Sequence, residues 1–134
     1  MTIVLKSQSQ TLLHRNLSDI KKIIVSHQGG LKYKSPKKAE FTYSLPPEGN
    51  DCIFRTTCYL TSGGRCVKYV NEYWGGELPK QEIINLSKLY PTLKKVRGKP
   101  LWVDYKNRFQ ITLMKEKKVG ALFLLIIKVI DSSD

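Results

Sequence analysis

Residues 53–74 constrain the fold of this chain more than any other stretch. IFRTTCYL and RCVKYVNEYW are rich in β-branched and aromatic residues, and Thr61-Ser62-Gly63-Gly64 lies between them. A two-residue Gly63-Gly64 turn, in which glycine tolerates the positive φ that tight hairpins need, predicts a β-hairpin. That turn sets Arg55 opposite Glu72, Thr57 opposite Val70 and Tyr59 opposite Lys68. On the other face it sets Phe54, Cys58 and Leu60 against Tyr73, Tyr69 and Val67. The second face is the more apolar and is therefore expected to meet the core; a one-residue slip would exchange the two faces.

The rest of the chain fits around this hairpin. TIVLK at 2–6 reads as a short strand. NLSDIKKIIVSHQGG predicts a helix over 17–27: Asn16 or Ser18 caps it, Leu17, Ile20, Ile23, Ile24 and His27 follow a helical period, and Gly29 closes it. Pro36 interrupts KYKSPKK, which is expected to be a loop. AEFTYSL alternates as a half-buried strand, and PPEGND signals a turn. ELPKQEIINLSKLYP predicts a second helix, with Pro79 in its first turn and Pro91 at its end. LWVDY and RFQITLM flank a tight Lys106-Asn107 turn, and KEKK leads to VGALFLLIIKV. This last run is apolar on both faces and is expected to be a central strand covered on both sides; a helix is the competing reading, but Val119, Ile126, Ile127, Val129 and Ile130 favour a strand. In LWVDY, Leu101, Val103 and Tyr105 share one face, and Trp102 and Asp104 share the other.

Helix, strands, hairpin, helix and three strands make an α+β fold. The expected architecture is an antiparallel sheet with a central β-hairpin, two helices packed to one side and a C-terminal three-stranded meander. A helix followed by about three strands occurs twice, although the sequences of the two halves do not align. The chain has 134 residues, a length that suits a single domain over 1–134 and a core that needs no disulfides. The longest apolar run, Val119 to Ile130, includes Lys128 and is too short to cross a bilayer as a helix. MTIVLKSQSQ does not read as a secretory signal. Cys52, Cys58 and Cys66 are odd in number and are spaced neither as a disulfide framework nor as a zinc site. Reduced thiols in an intracellular setting, cytoplasmic or nuclear, are expected, with no metal and no cofactor.

Charge gives the clearest hint of a partner. The chain carries 23 Lys and Arg against 11 Asp and Glu, a formal net of +12. KYKSPKK alone holds net +4 and residues 88–108 hold net +6, whereas residues 39–87 are net −2. Such clusters suit a polyanion. The candidate nucleic-acid contacts are Lys32, Lys34, Lys37 and Lys38 in the first stretch. In the second they are Lys94, Lys95, Arg97, Lys99, Trp102, Lys106 and Arg108. Arg65 at the hairpin tip completes the set. Cations neutralise phosphates, and an aromatic such as Trp102 stacks on a base unless the core claims it.

Catalytic chemistry has little to stand on. The histidines are His14 and His27, and His27 suits the end of a helix. No nucleophile elbow, phosphate-binding loop or metalloprotease motif is present. Ser62-Gly63-Gly64-Arg65 is glycine-rich but belongs to a hairpin rather than to a helix N-terminus.

Two resemblances bear on function. Ser35-Pro36-Lys37-Lys38 resembles the SPKK element of histone tails, which implies contact with the minor groove of A·T-rich DNA. Its Ser-Pro pair could equally be a phosphorylation site that lowers the local charge. LKKVRGKPLWVDYKNRFQITLMKEKKVGALFLLIIKV, residues 93–129, resembles the RelE-type toxins, small basic ribonucleases in which a helix leads into an antiparallel sheet. The chain departs from that family in its long preceding segment and in lacking basic and tyrosine residues beyond the last strand, so no catalytic residue carries over. The leading expectation is a non-enzymatic nucleic-acid-binding protein. The alternatives are an adaptor or assembly factor with an acidic protein partner, including a homodimer built on Tyr59, Tyr69, Tyr73 and Trp74, and a RelE-like ribonuclease.

Overall fold

The computed structural model describes residues 11–25, 30–35, 37–42, 52–75, 77–115 and 122–130. The expected strand at 2–6, the helix end around His27 and Gly29, the PPEGND turn and most of the KEKK link lie outside the described residues.

The fold is mixed α+β and mostly sheet. Its elements are α1 (Leu17–Val25), β1 (Gly30–Ser35), β2 (Lys38–Thr42), β3 (Cys52–Leu60), β4 (Cys66–Trp74), α2 (Glu77–Leu89), β5 (Lys94–Lys95), β6 (Leu101–Asp104), β7 (Phe109–Lys115) and β8 (Leu122–Val129). The strands form one eight-stranded sheet in the order β1-β2-β3-β4-β8-β7-β6-β5. Every neighbouring pair is antiparallel. A helix and four strands thus occur twice, and the fourth strands of the two halves pair with each other.

Local chemistry explains the helices. Asn16 caps α1: its Oδ1 accepts from the Asp19 amide at 2.9 Å, satisfying a donor the helix cannot use itself. Pro79 sits in the first turn of α2, where a missing amide hydrogen costs nothing, and is buried there. Ile20 of α1 and Ile83 and Leu86 of α2 share one core with Cys58, Tyr69, Tyr73, Ile111, Leu125 and Ile127. Both described helices therefore cover the same side of the sheet.

The central hairpin pairs Arg55 with Glu72, Thr57 with Val70 and Tyr59 with Lys68, as the alternation predicts. It reaches that register differently. The Gly64 amide donates to the Thr61 carbonyl at 2.9 Å and the Thr61 amide to the Arg65 carbonyl at 2.8 Å. Gly64 takes φ +83°. The loop is therefore Ser62-Gly63-Gly64, the three-residue type that ends on a left-handed glycine, and not the two-residue turn. Leu60 consequently pairs with Cys66 rather than Val67, and a bulge before Lys68 restores the register. A second irregularity sets Ile53, not Phe54, opposite Tyr73.

Three further expectations are corrected. KYKSPKK is not a loop: Tyr33 pairs with Ala39 and Ser35 with Lys38, so β1 and β2 meet in a hairpin. Alternation within the segment outweighs the proline, which falls between the two strands. The β6–β7 connection runs from Tyr105 to Arg108, because Asp104 and Phe109 form the last pair. The Asp104 carboxylate shapes it by accepting from the Asn107 amide at 3.0 Å. β8 is central, but only Leu125 and Ile127 are buried; Leu124 and Ile126, on the side away from the helices, are half-buried.

Candidate functional site

The open side of the sheet carries a continuous row of side chains. Cross-strand pairing sets Lys38 beside Tyr59, Tyr59 beside Lys68, and Lys68 beside Lys128. The row continues from Lys128 to Gln110, then to Val103, which is buried, and to Lys94. Each residue precedes or follows one whose side chain points to the helices, such as Ala39, Cys58, Tyr69, Ile127 and Ile111, all buried. Side chains alternate along a strand, so the row faces away from the helices. Lys38 and Lys94 stand six strands apart, about 29 Å at roughly 4.8 Å per strand.

Contacts within the row agree with this placement. Tyr59 lies between two ammonium groups, with Lys38 Nζ 5.3 Å and Lys68 Nζ 4.7 Å from the ring centroid. This is cation–π distance. Lys68 and Lys128 are direct opposites, an arrangement of like charges that destabilises a sheet. Among the described residues, no carboxylate pairs with Lys38, Lys68, Lys94 or Lys128. The nearby acids are engaged one level further along. Arg55 binds Glu72 through a two-pronged pair of hydrogen bonds, Nε to Oε2 at 2.6 Å and Nη2 to Oε1 at 2.8 Å, and approaches Glu40 at 3.8 Å. Its guanidinium pKa is raised by the bond to Glu72.

The fold distributes the two basic stretches unevenly. Lys38 and Lys94 enter the row. Lys32 lies opposite Glu40 on β1, and Lys34 lies two residues further along the same strand. Lys37 leads into β2 at the row's end of the sheet, and exposed Lys106 and Arg108 occupy the β6–β7 connection at that same end. Arg97 and Lys99 are exposed in the β5–β6 connection, at the opposite end of β6. Lys95 is on the helix side, its Nζ 5.8 Å from the Trp102 ring. Trp102 is half-buried and packs against the core, so it is not a stacking platform on the open face. Arg65 is exposed, but its Nη1 donates to the His14 carbonyl at 2.8 Å and ties the 11–16 segment to the hairpin.

The sequence alone does not single out Lys68, Lys128 or Gln110 as members of this row, nor Tyr59 as standing between two lysines. The signal for Lys68 was present, since the hairpin register already set it opposite Tyr59. Lys128 was hidden as the one cation in an apolar strand. Tyr69 and Tyr73 are buried in the core, which removes them from the expected dimer surface. Among the described residues, no group of three or more His, Cys, Asp or Glu side chains gathers to hold a metal ion, and no helix is long and apolar enough to cross a membrane.

No protein-family model matches the chain, and neither a curated protein nor a solved structure shows a significant match to it.

Proposed function

We propose that this chain is a non-enzymatic nucleic-acid-binding protein that receives its ligand across the open face of the sheet. The observation that carries the reading is the row Lys38–Tyr59–Lys68–Lys128. It sets Lys68 directly opposite Lys128 and brings Lys38 to the far side of Tyr59, with no carboxylate partner among the described residues, and the like-charged pair carries a cost to the sheet that folding alone gives no reason to bear. A polyanion offsets that cost. Lys94, Lys106 and Arg108 extend the positive surface along the same end of the sheet. Tyr59, between the Lys38 and Lys68 ammonium groups, holds those two cations in the row. The ligand is intracellular nucleic acid in the cytoplasm or nucleus, where the thiols stay reduced.

The length of the row sets a scale for the ligand. About 29 Å corresponds to roughly eight nucleotides at 3.4 Å each. Fluorescence anisotropy with labelled single- and double-stranded oligonucleotides tests the reading. Affinity is expected to rise with length up to about eight nucleotides and to fall steeply with salt, log K against log salt having a slope near −0.9 for each phosphate neutralised on a duplex and near −0.7 on a single strand. A flat salt response overturns it.

A further inference from the structure

Among the described residues, the helix-covered side of the sheet is not covered to its edge. Along α2, Lys80, Ile83, Ile84, Ser87 and Lys88 recur at helical spacing and form one flank. That flank faces Trp102 of β6 and Leu113 of β7 across a groove of about 560 Å³. Ile84 is 48% exposed, and Trp102 and Leu113 are half-buried. The floor is therefore apolar and incompletely covered. Its borders are cationic: Lys80 and Lys88 are eight residues apart, about 12 Å along the helix, and the Lys95 ammonium lies over Trp102. Among the described residues, no carboxylate lines the groove.

We propose that this groove docks an acidic amphipathic helix from a partner protein. Its apolar residues would sit on Ile84, Trp102 and Leu113, and carboxylates about two turns apart would reach Lys80 and Lys88. The exposed apolar floor calls for an apolar stripe, and an amphipathic helix supplies one at the spacing of the flank it meets. The lysine border selects the sign of the flanking charges. A second copy of this chain, at net +12, is a poor source of such a segment. An anionic membrane meets protruding apolar residues more readily than a slot between a helix and a sheet. The groove opens on the opposite side of the sheet from the lysine row, so this inference stands apart from the nucleic-acid reading.

The test uses the full chain and a fluorescein-labelled 18-residue peptide of Ala, Leu and Glu with leucines along one helical stripe. Two control peptides replace the leucines by serine or the glutamates by lysine. Anisotropy is expected to show the acidic leucine peptide binding at least about ten-fold more tightly than either control, a gap of roughly 1.4 kcal/mol or more. Ile84→Ser and the double variant Lys80→Glu/Lys88→Glu alter exposed positions, and each should weaken that binding about ten-fold or more. The double variant should also gain affinity for the lysine peptide, which a merely unfolded chain would not. Lys128→Glu, on the other face, should leave peptide binding unchanged. Equal binding of the serine control, or indifference to Ile84→Ser, overturns the proposal. So does Ile84-dependent binding to phosphatidylserine vesicles without binding to the peptide.

Discussion

Lys128→Glu separates function from folding because the two respond with opposite signs. In the wild type, Lys128 lies opposite Lys68. Glutamate at that position turns a repulsive cross-strand pair into an attractive one, an exchange of about 0.2–1 kcal/mol. Lys128 is exposed, so solvent screening favours the lower half of that range. A gain near 0.5 kcal/mol raises Tm by about 2 °C for a chain of this size. Nucleic-acid binding moves the other way. Loss of one phosphate contact reduces the salt slope by about 0.9, so lowering salt from 200 to 50 mM helps the variant about 3.5-fold less than the wild type. Where the new carboxylate also cancels a neighbouring cation, the deficit grows to about 12-fold. Thermal melts without ligand and anisotropy at the two salt concentrations read both effects. Lys99→Glu, at the far end of β6, is the control and should leave the salt slope nearly unchanged. An unaltered slope for Lys128→Glu, or weaker binding accompanied by a lower Tm, refutes the assignment of the row as the contact surface.

Three other outcomes follow from buried and half-buried groups. Asp104 is fully buried and accepts hydrogen bonds from Thr92 Oγ1 at 2.7 Å, the Asn107 amide at 3.0 Å and Asn107 Nδ2 at 2.8 Å. Burial alone would raise its pKa, but the bonds from Asn107 and Thr92 outweigh burial and hold it below the ordinary value. Its contribution is therefore present above about pH 3.9 and is lost as pH falls through the lower folded value. Asp104→Asn should cost about 1–3 kcal/mol at pH 7 in urea unfolding, and a deficit that does not shrink in strong acid contradicts this. Burial pushes Glu82 up to about 8. The native state then keeps a proton that the unfolded chain releases above about pH 4.3, so stability falls as pH rises from there to about 8. Glu82→Gln should remove that slope, and parallel Tm–pH curves would show the assignment to be wrong. Cys58 and Cys66 are both fully buried; the hydrogen bond with Cys66, together with burial, holds the Cys58 thiol above its ordinary pKa. Iodoacetamide should label the two only after denaturation, as peptide mapping will show, and rapid native labelling would contradict the burial.

What could be read from the sequence was what alternation encodes. The β3–β4 register was legible because Arg55, Thr57 and Tyr59 alternate with Thr56 and Cys58. It survived a wrong turn type because the longer loop and the bulge shift the pairing in opposite directions. The KYKSPKK hairpin was missed because a proline reads as an interruption unless the partner strand is known. The two-sidedness of β8 misled for a related reason: apolar residues on both faces need not mean helices on both faces.

Charge was the harder quantity to read, because density along the chain is not density in space. Residues 88–108 look like one cationic block, yet the fold sends Lys94, Lys106 and Arg108 to one end of the sheet, Arg97 and Lys99 to the other, and Lys95 to the helix side. The row takes only Lys38 and Lys94 from the two basic stretches, and its middle draws on Lys68, from a net-negative segment, and on Lys128, from an apolar one. Those two meet only because the fourth strand of each half pairs with the other. β4 and β8 would each present an open edge without that pairing, and closing such an edge is a sufficient physical reason for the halves to join. The seam that closes the edges also brings the two lysines opposite each other. The cationic row thus belongs to neither half of the sequence, and composition counted segment by segment could not have located it.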